Sequence, residues 1–191
     1  YQLMKIKLIK FKNVKSTNDI AIKLIKAHKI APTLITTEKQ SKGRGTMGKK
    51  WISKKGNLFF SIFFEINLKK ISTKQFSILN AYLIKKIINK YILKKITIKW
   101  PNDLLINKQK VCGILQELVY QKGKPYLIIG VGINTKSFPE IKNYKTNSLK
   151  SFQKKDISNT QILRDIKRTY ETFIKEKKKI NFIKLKLKYS R

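Results

Sequence analysis

Three segments of this 191-residue sequence gather groups suited to holding and activating anions. The first is Gly43-Arg44-Gly45-Thr46-Met47-Gly48-Lys49-Lys50-Trp51. Its glycines permit the positive-φ turns from which backbone N–H groups form an anion-binding nest, and Arg44 with the lysines adds fixed positive charge. The second is Lys99-Trp100-Pro101-Asn102-Asp103, followed by Lys110 and Gly113. Pro101 closes a strand with a fixed φ, and the Asn-Asp pair places polar groups at a strand end, a common ligand position. The third is Gly130-Val131-Gly132-Ile133-Asn134, where glycines inside an apolar run mark close approach by a ligand or another backbone. Taken singly, each segment also has an ordinary reading: a surface loop, a turn beside one more lysine, a bulge or packing requirement.

Nucleophilic and multi-histidine metal chemistry find little support. The single histidine, His28, falls in a predicted helix and the single cysteine, Cys112, in a predicted strand. They read as a surface residue and a small core residue. No HExxH, CxxC, Walker A or strand-associated GxGxxG pattern occurs. One cysteine also excludes an internal disulfide framework and fits a reducing compartment.

The net charge of +35 invites a nucleic-acid reading. However, 41 of the 45 basic residues are lysine, spread along the chain, and only Arg44, Arg164, Arg168 and Arg191 are arginine. Bidentate readers of phosphate and base edges lean on arginine. Lysine, isoleucine and asparagine share A/T-rich codons, so compositional drift onto a solvated surface explains the charge better than a dedicated nucleic-acid face. No apolar run approaches the roughly 20 residues that a membrane-spanning helix needs.

The elements that must position these segments follow from periodicity. Residues 1–15 predict a short strand. Ser16-Thr17-Asn18-Asp19 supplies helix-capping residues ahead of a helix ending near Lys29. Strands are predicted at Thr33–Thr37 and Asn57–Ile66, with residues 38–50 a loop, and a long amphipathic helix at Thr73–Tyr91. Ile96–Trp100, Asp103–Ile106, Lys110–Tyr120 and Tyr126–Ile133 predict an antiparallel meander. Residues 134–157 read as loop, Asn159–Glu176 as helix, and Ile180–Tyr189 as either helix or strand. The sum is one α+β domain on a mixed, largely antiparallel sheet.

Read in order, the motifs resemble a family. Ser-Thr-Asn at 16–18, Gln40 with GRGxxGxxW at 43–51, KWPND at 99–103, KxxGIL at 110–115 and GxGIN at 130–134 are similar to the signature of biotin protein ligases. The resemblance runs from about residue 10 to about 175, and the KWPND–KxxGIL spacing is its specific part. It implies a class II synthetase-like fold, a cytoplasmic enzyme, monomeric or homodimeric, and the substrates biotin and ATP with Mg²⁺. The implied reaction forms biotinyl-5′-adenylate and passes the biotinyl group to a lysine of the biotin carboxyl carrier protein of acetyl-CoA carboxylase. No specific nucleic acid and no membrane are implied as partners. A lipoate or octanoate ligase of the same fold, a basic nucleic-acid-binding module and a decayed ligase are the rival readings.

Carried over by position, Ser16, Thr17, Asn18 and Gln40 would hold biotin's ureido ring, with Gly113 also on the biotin side. Arg44, Gly45 and Thr46 would lie in the loop that closes over biotin and the adenylate. Lys110, with Arg44, would carry the catalysis. Trp51, Asp103 and Asn134 would sit on the nucleotide side. No residue is assigned as a dedicated metal ligand. The sequence departs from the family's GRGRxGR loop, because Thr46 stands where a second arginine is common and Lys49 replaces the last one. Losing a charge and a bidentate fork implies looser retention of the adenylate. The resemblance also implies a catalytic domain over 1–191 without a preceding helix-turn-helix domain or the small C-terminal β-barrel of many relatives.

Overall fold

A computed structural model of the chain describes residues 5–153, 156, 158–177 and 181–190. Seven strands form one sheet: β1 (Lys7–Val14), β2 (Thr33–Gln40), β3 (Leu58–Glu65), β4 (Ile96–Lys99), β5 (Asp103–Ile106), β6 (Gln109–Gln121) and β7 (Lys124–Ile133). Their spatial order is β1-β2-β3-β7-β6-β5-β4. Only β1 and β2 pair in parallel, with helix α1 (Thr17–Lys26) as their crossover. Every other pairing is antiparallel, as the hairpin turns between short β-rich runs require. The fold is α+β, as the residue pattern predicts.

The two faces of the sheet carry different cargo. Helices α2 (Thr73–Ile88) and α3 (Asn159–Glu176) cover one face and bury the main core, including Phe60, Phe64, Ile129, Val131, Phe76, Tyr170 and Phe173. A capping box starts α2: Gln75 N–H donates to Ser72 Oγ and Ser72 N–H donates to Gln75 Oε1. A last helix, α4 (Phe182–Ser190), packs on α2 and buries Leu185. On the opposite face α1 buries Ala21 and Ile25 against Ile35, Phe63 and Ile128. Alternation along each strand divides its side chains between the faces. Val131 and Ile133 therefore enter the main core while Gly130 and Gly132 face the α1 side.

Several boundaries differ from expectation. Strand β2 continues through Glu38–Gln40, because the parallel pairing with β1 extends to Gln40 opposite Val14. Helix α1 stops at Lys26, and His28 lies beyond it in a turn at φ 58°. Helix α2 ends at Ile88, short of Tyr91. The tail resolves as helix over Phe182–Ser190; its expected first residue, Ile180, lies outside the described residues, as do 154, 155 and 157 of the 134–157 loop. No helix among the described residues is long and apolar enough to cross a membrane.

Candidate functional site

The three chemistry-bearing segments meet on the α1 side of the sheet, in an open cleft of about 590 Å³. Its floor is a strip of glycines. Gly113 on β6 lies opposite Gly132 on β7, and Leu115 lies opposite Gly130. A Cβ on Gly130 would fall 2.2 Å from Asn18 Oδ1, and one on Gly132 would fall 2.3 Å from the Trp51 ring. Only bare backbone lets both side chains lie flat on the sheet.

Lys110 reaches this floor through an irregularity in β6. Leu104 pairs with Cys112 and Leu105 with Lys110, so Val111 is an extra residue opposite β5. Strict alternation would send Lys110 and Gly113 to opposite faces. The bulge returns Lys110 to the face of Gly113, Leu115 and Glu117. Its side chain passes close over Gly113, where a Cβ would sit 3.3 Å from Cε. The ammonium lies 2.8 Å from Asp103 Oδ1 and 5.4 Å from the ring centroids of both Trp51 and Tyr144. The loop after β7 clamps the backbone beneath it: Lys110 N–H donates to Lys145 O at 2.9 Å and Asn147 N–H donates to Lys110 O at 3.0 Å.

At the other end, the first turn of α1 enters the cleft. Thr17 N–H donates to Gln40 Oε1 at 2.8 Å, and Gln40 Nε2 donates to Ser53 Oγ at 3.1 Å. Ser61 Oγ donates at close range to Asn18 Oδ1 and lies 2.7 Å from the Thr17 hydroxyl oxygen. Asn18 Nδ2 donates to Glu117 Oε2 at 2.6 Å. The glycine segment folds as a narrow hairpin, with Gly45 N–H donating to Lys49 O at 2.7 Å and Trp51 N–H to Gly43 O at 2.9 Å. It lays Arg44 beside Glu117 at 2.6 Å and Asp19 at 3.1 Å. Thr46 Oγ1 accepts from Asn102 Nδ2 at 3.4 Å, joining the hairpin to the KWPND turn.

The structure thus brings Ser16, Thr17, Asn18, Gln40, Arg44, Gly45, Thr46, Trp51, Asp103, Lys110 and Gly113 into one cleft. Asn134 lines a smaller adjoining pocket of about 260 Å³, with Trp51, Ile52, Lys110, Ile141 and Tyr144. Its Nδ2 donates to Asn147 O at 3.2 Å. Asn134 Oδ1 and Trp51 Nε1 are both buried with no hydrogen-bond partner among the described residues, an unmet acceptor and an unmet donor beside an aromatic wall. His28 stands apart on the surface beside Gln121. Cys112 points into the core on the opposite face. Burial pushes its thiol far above the ordinary range, Asp103 adds to that rise and Lys110 opposes it, so no thiolate nucleophile is available.

Sequence reasoning did not single out Asp19, Ser61, Glu117 or Tyr144. Ser61 carried a signal, as the one hydroxyl inside the apolar run Leu58–Phe64, and Glu117 stands at an even spacing from Gly113 on a strand. Tyr144 carried none, because only the path of the long loop after β7 brings it to Lys110.

The fold and site define a mixed-sheet protein with a glycine-floored cleft lined by amides and by the cations Arg44, Lys49, Lys50 and Lys110. The model of the biotin/lipoate A/B protein ligase family matches residues 10–134, and the chain belongs to that family. The bifunctional ligase/repressor BirA of Bacillus subtilis is 34% identical over 126 residues, covering 65% of this chain and 39% of that protein. The biotin–[acetyl-CoA-carboxylase] ligase of Paracoccus denitrificans is 29% identical over 128 residues, covering 65% of this chain and 53% of that protein. The chain therefore spans about two fifths to one half of these relatives. A solved structure of the biotin protein ligase from Aquifex aeolicus, in complex with biotin and ATP, superposes with a TM-score of 0.73 at 29% identity, covering 96% of this chain and 76% of that one.

Proposed function

We propose that the chain activates biotin with ATP and transfers the biotinyl group to a lysine of a carrier protein, the biotin carboxyl carrier protein of acetyl-CoA carboxylase. The observation that carries this reading is that Lys110 and Arg44, from distant segments, line one cleft together with the amide and hydroxyl groups of Thr17, Asn18 and Gln40. The family model spans biotin and lipoate ligases alike. The hydrogen-bonding head end of the cleft favours biotin, whose ureido group offers donors and an acceptor, over an acid with an apolar head.

The chemistry needs no general base, because a carboxylic acid is already ionised at neutral pH. A carboxylate oxygen attacks the α-phosphorus of ATP; the bond to the β-phosphate bridge breaks and pyrophosphate leaves. The acceptor amine then attacks the acyl carbon of the adenylate, AMP leaves and the amine loses a proton. In the first step Lys110 lies between the two anions and stabilises the charge that moves onto the phosphate oxygens. Trp51 and Asn134 supply an aromatic wall and an open acceptor for the adenine. The hairpin carrying Gly45 and Thr46 screens the adenylate from water.

Mg²⁺ is expected to arrive with ATP. Among the described residues no three His, Cys, Asp or Glu side chains gather into a metal site. One carboxylate plus substrate phosphates suits Mg²⁺, and Asp103, beside Lys110, would be that carboxylate. Mixing the protein with biotin, Mg-ATP and a biotin carrier domain tests the reading. The carrier mass rises by one biotinyl group, and Lys110→Ala abolishes the rise. An unchanged carrier mass with the unaltered protein, or a full rise with lipoate in place of biotin, contradicts it.

A further inference from the structure

Of the four cations that line the cleft, Arg44, Lys49, Lys50 and Lys110, Arg44 and Lys110 are held by carboxylates. Lys110 has one, Asp103 at 2.8 Å. Arg44 has two, Glu117 at 2.6 Å and Asp19 at 3.1 Å. The chain has only ten acidic residues against 45 basic ones, so three carboxylates on two neighbouring cations is a concentration that evenly scattered charge does not produce. The pairings also differ in sum. The Lys110 pair is neutral and its ammonium is open to sharing with an arriving anion. The Arg44 cluster carries one net negative charge. Glu117 Oε2 further accepts from Asn18 Nδ2 at 2.6 Å, which turns the opposite edge of that amide, Oδ1, toward Ser61.

We infer that Glu117 and Asp19 are specificity-determining residues: they cancel Arg44 as an anion site, so that the cleft admits acids with one charged end and an uncharged hydrogen-bonding head. An acid then enters in one direction. Its head meets Thr17, Asn18 and Gln40, and its carboxylate is left to Lys110, the cation with a single carboxylate partner. Like charge at the head end repels a second carboxylate, and a small anion finds no free guanidinium there. Specificity is built here by repulsion as well as by fit. This inference rests on the proposed reading of the cleft as a biotin site and adds what the cleft refuses.

The test is a calorimetric titration of biotin and of a linear α,ω-dicarboxylic acid, nonanedioic acid, into the unaltered protein, Asp19→Asn, Glu117→Gln and the double variant. The unaltered protein binds biotin and gives no measurable heat with the diacid. The double variant gains diacid affinity at least tenfold while its biotin affinity falls, and Asp19→Asn shifts in the same direction by less. Two ligands moving oppositely is a result that simple damage to the fold does not give. Asp19 is half-buried at the first turn of α1, and its variant keeps the test decisive should Glu117→Gln not fold. Diacid affinity that stays flat or falls in Asp19→Asn, with biotin still bound by the unaltered protein, overturns the inference alone. No binding of biotin by the unaltered protein overturns the reading beneath it and the inference together.

Discussion

The two faces of the sheet solve opposite problems with the same strands. On the α2–α3 face Phe64, Phe76, Tyr170 and Phe173 pack with centroids 6.0–6.4 Å apart, edge to face except for the tilted Phe64–Tyr170 pair. A chain of buried polar side chains there is paired end to end. Tyr170 Oη donates to Asn80 Oδ1 at 3.0 Å, Asn80 Nδ2 donates to Gln116 Oε1 at 2.7 Å, and Gln116 Nε2 donates to Thr73 O at 2.9 Å. On the α1 face the strands present glycine, and buried polar atoms of Trp51 and Asn134 stand open. Neighbours on β6 belong to different worlds: Gln116 is locked into the core network, while Glu117 reaches Asn18 and Arg44. Stability concentrated on one face is what lets the other keep bare backbone and unmet hydrogen bonds for a ligand.

Substitutions on either face sharpen this contrast. The largest effect on stability is expected for Phe173→Ala. Removing a buried aromatic from the four-ring cluster destabilises by about 3–5 kcal/mol in denaturant unfolding. Enough folded protein at low temperature should still show ordinary biotin affinity. Tyr170→Phe is expected to cost about 1–3 kcal/mol, because Asn80 Oδ1 loses its donor in a buried site, again without change in ligand affinity. A drop in biotin affinity in either variant, at full folding, would break the division between faces.

Gly130→Ala should show the reverse. Its Cβ would press on Asn18 Oδ1, so biotin affinity falls tenfold or more by calorimetry while the unfolding midpoint moves little. A variant that unfolds easily and binds normally would contradict that. Thr46→Arg is the mildest change: restoring a guanidinium to the hairpin should slow adenylate escape severalfold, read as less biotin on bystander lysines. Equal bystander labelling by the two proteins would remove Thr46 from the account.

Much of the architecture was legible because periodicity and turn chemistry agree along the chain. Helix α3 spans Asn159–Glu176, the bounds its amphipathic spacing predicts, and the meander strands fall where Gly, Asn and Pro turns separate apolar runs. Less of the site was legible. Residue types marked Lys110, Arg44 and the paired glycines, but the face that Lys110 occupies depends on the Val111 bulge, which no local pattern announces. Glu117 and Asp19 gain meaning only from Arg44, brought to them by a hairpin two strands away. His28 escaped its helix because α1 ends in a turn at Ala27, ahead of the expected stop near Lys29.

In the proposed reaction Lys110, set among Asp103, Trp51 and Tyr144, draws a carboxylate and a triphosphate together. Exchange of labelled pyrophosphate into ATP measures that step without any carrier. Exchange is expected to require biotin and to fall by about 10²–10³ in Lys110→Ala, with unfolding stability little changed. Biotin-dependent exchange that survives in Lys110→Ala would contradict that role.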